Sequence, residues 1–359
     1  MALDHYITLG RSGLRVSPLC LGAMTFGEDL GWGSSVEESQ QIMDAFIAHG
    51  GNFIDTANFY TKSHSEKIIG DHIGRHPSRR DRLVIATKFS GNLYPGDPNG
   101  GGSSRKAIHQ QCENSLRRLQ TDYIDLYWLH NWDKHTPIEE TMSALEDLVR
   151  AGWVRYIGVS DTPAWKCVEA NMLAKFRGTS PFIALQIEYS LLQRTIEQEL
   201  VPMAKEHGFG ITPWSPLRGG MLSGKYTRTS NHQGDRSMMM DVYKTEKTWT
   251  LIDKLEAIAK ERDTTVARVA IAWVRQQPGV TSTIIGARRL TQLEDNLKSL
   301  DVTLTGSDLA QLDELTKPAL GFPQSMEPFF PAIHNAGTSV NGVKPPFSPF
   351  VIGPTDKPY

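Results

Sequence analysis

Cysteine is scarce in this chain: among 359 residues there are only Cys20, Cys112 and Cys167, far apart and odd in number. No C-x-x-C pair and no Cys/His zinc spacing occurs, which argues against a disulfide framework or a structural metal site and fits a reducing cytoplasm. Long apolar runs are also missing. None reaches the roughly 18 residues that a membrane span requires, so no span is expected. The opening MALDHYITLGRSGLRVSPLCLGAM is broken by charged and polar residues where a signal peptide has an unbroken apolar stretch, and a cytoplasmic protein is expected. An excess of one charge is absent too. The 38 Lys and Arg nearly balance the 40 Asp and Glu, for a net charge of -2, so nothing draws the chain as a whole to nucleic acid or an anionic membrane.

What is present is an alternation. Apolar strand-like segments at 19–22, 52–55, 83–88, 124–129, 154–159, 183–187, 209–213 and 282–285 are separated by helical patterns at about 36–49, 64–73, 104–119, 138–150, 163–175, 196–207, 249–276 (read as two helices) and 290–299. Eight such pairs argue for parallel strands with crossover helices. A doubly wound sheet would place G-x-G-x-x-G after its first strand, whereas here that strand leads into Gly22-Ala23-Met24-Thr25-Phe26-Gly27, the wrong spacing for a pyrophosphate turn. The expected fold is therefore α/β, a (β/α)8 TIM barrel. A β-hairpin around Arg11-Ser12-Gly13 should precede it. We expect one barrel domain over 1–318 and an extension over 319–359 rich in Pro, Phe and Gly. Residues 217–248 read as a long mouth-side loop, either a disordered insertion or, given Gly219, Gly220 and Gly224, a partial cover over a ligand.

Three of these strand-like runs end on chemistry. Asp55 closes GNFIDT, Lys88 closes DRLVIATK, and His130 closes DYIDLYWLH, while Tyr60 follows Asp55 by five residues. Each has a bland alternative: an N-cap for Asp55, a surface amine for Lys88, a packed loop aromatic for Tyr60, a backbone-bonded neutral imidazole for His130. Gathered at one barrel mouth, they make a proton-transfer site. A phenol beside an ammonium has its pKa drawn down from about 10, so Tyr60 is expected to hand a proton to a carbonyl oxygen. No G-x-S-x-G elbow and no metal-ligand spacing is present, so no metal is expected. An acid with neither nucleophile nor metal points to an attacking group brought by a cofactor, and nicotinamide hydride meets that need. Met24, Phe26, Trp32, Tyr60 and Trp132 would line an aromatic entrance, or simply be packed.

Through SPLCLGAMTFG, FIDTANFY, IATK, DYIDLYWLH, VRYIGVSD, LQIEYSLL, TPWSPLRGGMLSGKY and IIGARRLTQLEDNL, the sequence resembles the aldo-keto reductase superfamily over roughly residues 7–316. Within it, the likeness is greater to the bacterial aldo/keto reductases grouped with potassium-channel β-subunits. The resemblance implies NADPH-dependent, reversible reduction of an aldehyde or ketone. Tyr60 would be the general acid, tuned by Lys88 and Asp55, with His130 orienting the carbonyl. It places Ser160 and Gln186 on the nicotinamide carboxamide and Trp214 against the ring. Asp161 stands where relatives usually have Asn, and a carboxylate accepts but does not donate. Ser215, Leu217, Gly219 and Lys225 resemble the pyrophosphate-side loop, and Arg218, where relatives often have a small residue, is expected to reach the cofactor or an acidic substrate. Gly286, Arg288, Gln292 and Asn296 resemble the adenosine end. A planar Arg288 guanidinium suits a 2'-phosphate, so NADP(H) is the expected cofactor, the alternative being a solvated Arg288-Arg289 pair. The expected partner is a small carbonyl compound, and a homo-oligomer is left open. The alternative function is a cofactor-binding regulatory protein like a channel β-subunit.

Overall fold

The computed structural model describes residues 3–229, 240–352 and 356–357. The chain divides into two compact units, Met1–Thr316 and Lys317–Tyr359. In the first, a short antiparallel hairpin, β1 (Ile7–Thr8) and β2 (Arg15–Val16), precedes eight parallel strands. These are β3 (Leu19–Gly22), β4 (Phe53–Asp55), β5 (Val84–Phe89), β6 (Ile124–Leu129), β7 (Val154–Ser160), β8 (Phe182–Glu188), β9 (Gly210–Trp214) and β10 (Thr283–Gly286). Sequence neighbours pair from β3 to β9, and β10 pairs back onto β3. A bridge between Ile211 and Val280, with the Thr281 amide donating to the Ile211 carbonyl at 2.8 Å, brings β9 to the approach of β10. The result is a nearly closed parallel barrel with surrounding helices.

Period-two alternation divides the strand side chains between two cores. Cys20, Phe53, Val84, Ala86, Leu126, Trp128, Ala184 and Ile284 meet inside the barrel, joined by Leu9 and Val16 of the hairpin. The hairpin is tied there by the Arg11 amide, which donates to the Gly208 carbonyl at 2.7 Å. The other parity, including Leu21, Ile54, Ile85, Tyr127, Leu129 and Leu185, packs outward against the helices. Four of those helices start where a hydroxyl accepts a first-turn amide: Ser35, Ser104, Thr245 and Thr265. Such a cap contributes about 1 kcal/mol.

The expected helix over 64–73 divides into an α-helix, His64–Ile69, and a π-helical turn, Gly70–Gly74. The expected 163–175 helix runs two residues further, to Arg177, where Gly178 ends it in the left-handed conformation. Of the long segment 217–248, residues 230–239 lie outside the described residues; the rest contains short 3-10 turns at Arg218–Gly220 and Asp241–Tyr243. The second unit contains a 3-10 turn, Glu327–Phe329, running into a short helix, Phe330–Asn335. Among the described residues, no helix is long and apolar enough to cross a membrane.

Candidate active site

The inner parity of each strand carries to its carboxyl end, and there the residue types change. Beyond the apolar Phe53 comes Asp55, beyond Ala86 comes Lys88, beyond Ala184 comes Gln186, and beyond Ile284 comes Gly286. Register brings these ends level: Asp55 lies beside Gly22 and Ala86, and Ser160 beside Gln186. A polar ring thus crowns the apolar interior.

Lys88 is wholly buried and Asp55 nearly so. They form a direct ion pair. Lys88 Nζ also donates to the Thr56 carbonyl at 2.8 Å, and Gln186 Nε2 donates to Asp55 Oδ1 at 3.1 Å. Burial pushes the Asp55 carboxyl up, with Lys88 drawing it back. Burial also works against the Lys88 ammonium, but Asp55 and Tyr60 outweigh it and hold its pKa above the ordinary value. The direction at Lys88 decides the state: a pair in contact and hydrogen-bonded on both sides is ionised at neutral pH.

Tyr60 lies next to this pair, with Lys88 Nζ 4.9 Å from its ring centroid, and its ring meets His130 edge-on at 5.8 Å. Its pKa does not fall, contrary to the expectation from sequence. Burial pushes the phenol up, and the pull of Lys88, itself offset by Asp55, does not overcome it. Burial and the Lys88 charge push His130 down to about 3, so its imidazole is neutral at ordinary pH, and its Nδ1 is buried without a hydrogen-bond partner. Phe59 stacks on His130 at 5.0 Å, 19° from parallel. Gly91 gives it the room: a Cβ there would lie 2.2 Å from Phe59 Cδ1.

One cavity of about 890 Å³ opens from this cluster. Asp55, Tyr60, His130, Ser160, Asp161, Gln186 and Trp214 line it, and Lys88 is paired with Asp55. Ser215, Leu217, Gly219, Lys225, Gly286, Arg288, Gln292 and Asn296 line it too. Several of these are also tied internally. Trp214 Nε1 donates to Asp161 Oδ1 at 3.1 Å, the Gly219 amide to Ser215 Oγ at 3.0 Å, the Arg288 amide to Gln292 Oε1 at 2.8 Å, and Asn296 Nδ2 to the Gly286 carbonyl at 3.1 Å.

This lining fits a nicotinamide dinucleotide. Ser160 Oγ is buried on the wall without a hydrogen-bond partner, ready for an amide. Lys225 Nζ lies 3.4 Å from the place a Cβ on Gly220 would occupy, and Gly220 has φ +105°, so the loop brings an ammonium and bare backbone together where phosphate would need them.

Three further sequence expectations are corrected. Phe26 does not line the entrance; it is wholly buried, in the outer core. Arg218 is turned to an ion pair with Glu188 and lies over the Tyr243 ring at 4.6 Å, so its charge is satisfied within the protein. Trp132 packs edge-on against Trp165 at 5.3 Å, and is not in the cavity wall. The structure adds Phe59, Ala267, Ile271 and Thr291 to the lining. The helix Val266–Arg275 that supplies two of them is buried nearly all round, so no polar face in its sequence marks the side toward the cavity.

Residues 18–317 match the aldo/keto reductase family. The chain belongs to that family. It is an enzyme of the NADP-dependent aldo-keto reductase class, whose members typically use NADPH. It is 36% identical over 335 residues to a putative aryl-alcohol dehydrogenase of Saccharomyces cerevisiae, covering 90% of this chain and 89% of the relative. To a norsolorinic acid reductase of Aspergillus flavus it is 35% identical over 333 residues, covering 89% and 83%. To an uncharacterized oxidoreductase of Bacillus subtilis it is 39% identical over 320 residues, covering 87% and 95%.

Proposed function

We propose that this reductase converts aldehydes or ketones to alcohols with NADPH, reversibly, and that the carbonyl sits between Tyr60 and His130. The observation that carries this reading is that the ionised Lys88–Asp55 pair, the Tyr60 phenol and the neutral His130 imidazole meet at a cavity whose wall also carries Lys225 and Arg288. When bound, the nicotinamide supplies a hydride from C4 to the carbonyl carbon. The protein then has to place and protonate the oxygen. His130 orients the carbonyl through a ring N–H, while Tyr60 gives its hydroxyl proton to the oxygen that becomes the alcohol. Lys88 stabilises the phenolate left behind, and Asp55 holds Lys88 in place. Ser160 and Gln186 take the carboxamide, Trp214 takes the ring face, and Ser215, Leu217, Gly219 and Lys225 take the pyrophosphate. Arg288 takes the 2'-phosphate, with Gly286, Gln292 and Asn296 around the adenosine.

The names of two relatives, an aryl-alcohol dehydrogenase and a norsolorinic acid reductase, together with Met24, Phe59 and Trp214 on the wall, support an aryl carbonyl as substrate. In this reading residues 1–318 hold both sites, and 319–359 are an extension. Three unpaired, buried cysteines agree with a cytoplasmic setting. The alternative, from the resemblance to channel β-subunits expected on sequence alone, is a cofactor-binding interaction protein with weak turnover. NADPH oxidation over a panel of aryl and alkyl aldehydes and ketones tests both. Wild type should turn over aryl aldehydes, and Tyr60→Phe should lower kcat by about 10²- to 10⁴-fold, the usual contribution of a positioned acid. Cofactor binding with no turnover on any carbonyl would favour the alternative, and an unimpaired Tyr60→Phe would remove Tyr60 from the role of acid.

A further inference from the structure

Asp161 follows the last residue of β7 at φ +42°, a left-handed conformation that Asp and Asn adopt more readily than most residues. Its amide donates to the Gln186 carbonyl at 3.2 Å, and its Oδ1 accepts the Trp214 indole N–H at 3.1 Å. These bonds hold the carboxylate on the cavity wall beside Ser160, Gln186 and Trp214. We propose that Asp161 discriminates between the oxidation states of the cofactor, holding NADP+ more tightly relative to NADPH than a neutral side chain in its place would. The inference rests on the proposed placing of the nicotinamide against these residues.

The two cofactor forms differ at the nicotinamide by one positive charge, carried by the oxidised ring. Asp161 is solvent-exposed on the cavity wall, and its carboxylate, fixed by these two bonds, attracts that charge and leaves the neutral ring almost unaffected. The nearby charges do not cancel it. Lys88 is paired with Asp55, and Arg218 with Glu188, so neither pair carries a net charge, whereas the hydrogen-bond partner of Asp161 is an uncharged indole. Burial pushes the Asp161 carboxyl up to about 6; the Trp214 bond draws it down, Glu188 at the end of β8 pushes it up, and Lys88 of β5 draws it down. Tyr60, which also feels Asp161, is an uncharged phenol at these pH values. The discrimination is therefore present above about pH 6 and fades as the carboxyl protonates below it.

Asp161→Asn separates charge from shape. Its amide oxygen still accepts the indole N–H, and Asn tolerates the same backbone. Equilibrium titration of NADP+ and of NADPH, followed by tryptophan fluorescence, gives the two Kd values without turnover. In the variant at about pH 8, Kd for NADP+ should rise about tenfold while Kd for NADPH changes little. Wild type moved from about pH 8 to about pH 5 should show the same selective weakening, and the variant should not. That wild-type comparison stands even if the variant folds poorly. Equal changes for both forms, or a wild-type NADP+/NADPH ratio that does not move with pH, would overturn the inference. Failure of wild type to bind either form would sink the proposed function on which it rests.

Discussion

At the scale of single residues, Tyr60 and His130 are set in opposite directions by the same burial. Tyr60 stays a phenol because removing it from water disfavours phenolate more than Lys88 favours it, and His130 stays neutral because burial and Lys88 both disfavour imidazolium. The consequences for pH follow by sign. An acid must be protonated to act, so kcat for reduction should be level across neutral pH and fall only as pH rises toward the elevated Tyr60 pKa. Oxidation of the alcohol needs the phenolate and should rise over that same range. His130, titrating near about 3, should give no acid limb above about pH 5. Stopped-flow rates in both directions would check this, and a reduction rate that falls between pH 6 and 8 with the Tyr60 pKa would sink it. Position was legible here and charge state was not. Period-two alternation turns Asp55 and Lys88 inward. The pKa of Tyr60 depends on how completely Asp55 offsets Lys88, a three-dimensional quantity absent from spacing.

At the scale of elements, the loop after β4 carries a conformational cost. Tyr60 is followed by Thr61, Lys62 and Ser63 at φ +46°, +54° and +76°, three consecutive left-handed residues without a glycine. Each costs about 1 kcal/mol or more and persists only where surrounding contacts fix it. Thr61 supplies such contacts: its hydroxyl donates to the Phe26 carbonyl at 2.6 Å and accepts from the Ser65 amide at 3.0 Å. Asn58 Nδ2 anchors the other side, donating to the Gly91 carbonyl at 2.7 Å and to Gln111 at 2.9 Å. Thr61→Val preserves shape and removes both hydroxyl bonds. It should cost about 1–3 kcal/mol in urea unfolding and, by freeing the turn next to Tyr60, lower kcat more than it raises KM. Stability lost with kcat intact would leave the turn a purely structural device. Such a turn is hard to read from sequence, because FYTKSHSE contains none of the glycines that announce positive φ. Helix ends were more legible where a signal exists. Gly178, through its left-handed preference, marks the end at Arg177, two residues past the apolar pattern.

At the scale of the whole molecule, closing the strands into a ring gathers side chains from β4 to β10 around one mouth, so a ligand spanning the cavity ties together segments as distant in sequence as Asp55 and Asn296. The alternating pattern was sufficient to indicate this closure, since eight parallel strands leave few other ways to cover both faces. A dinucleotide that binds only the closed barrel stabilises it by mass action, by about 2.7 kcal/mol at a hundred times its Kd. Under the proposed assignment, NADPH should raise Tm more than NADH at equal concentration, because Arg288 meets a 2'-phosphate in one and a hydroxyl in the other. Arg288→Ala should bring the two shifts close together by reducing that of NADPH, leaving that of NADH nearly as it was. Differential scanning fluorimetry over a concentration series of each cofactor would measure this. Equal loss of both shifts would show Arg288 supporting the fold of that wall, and an undiminished preference for NADPH would move the 2'-phosphate away from Arg288.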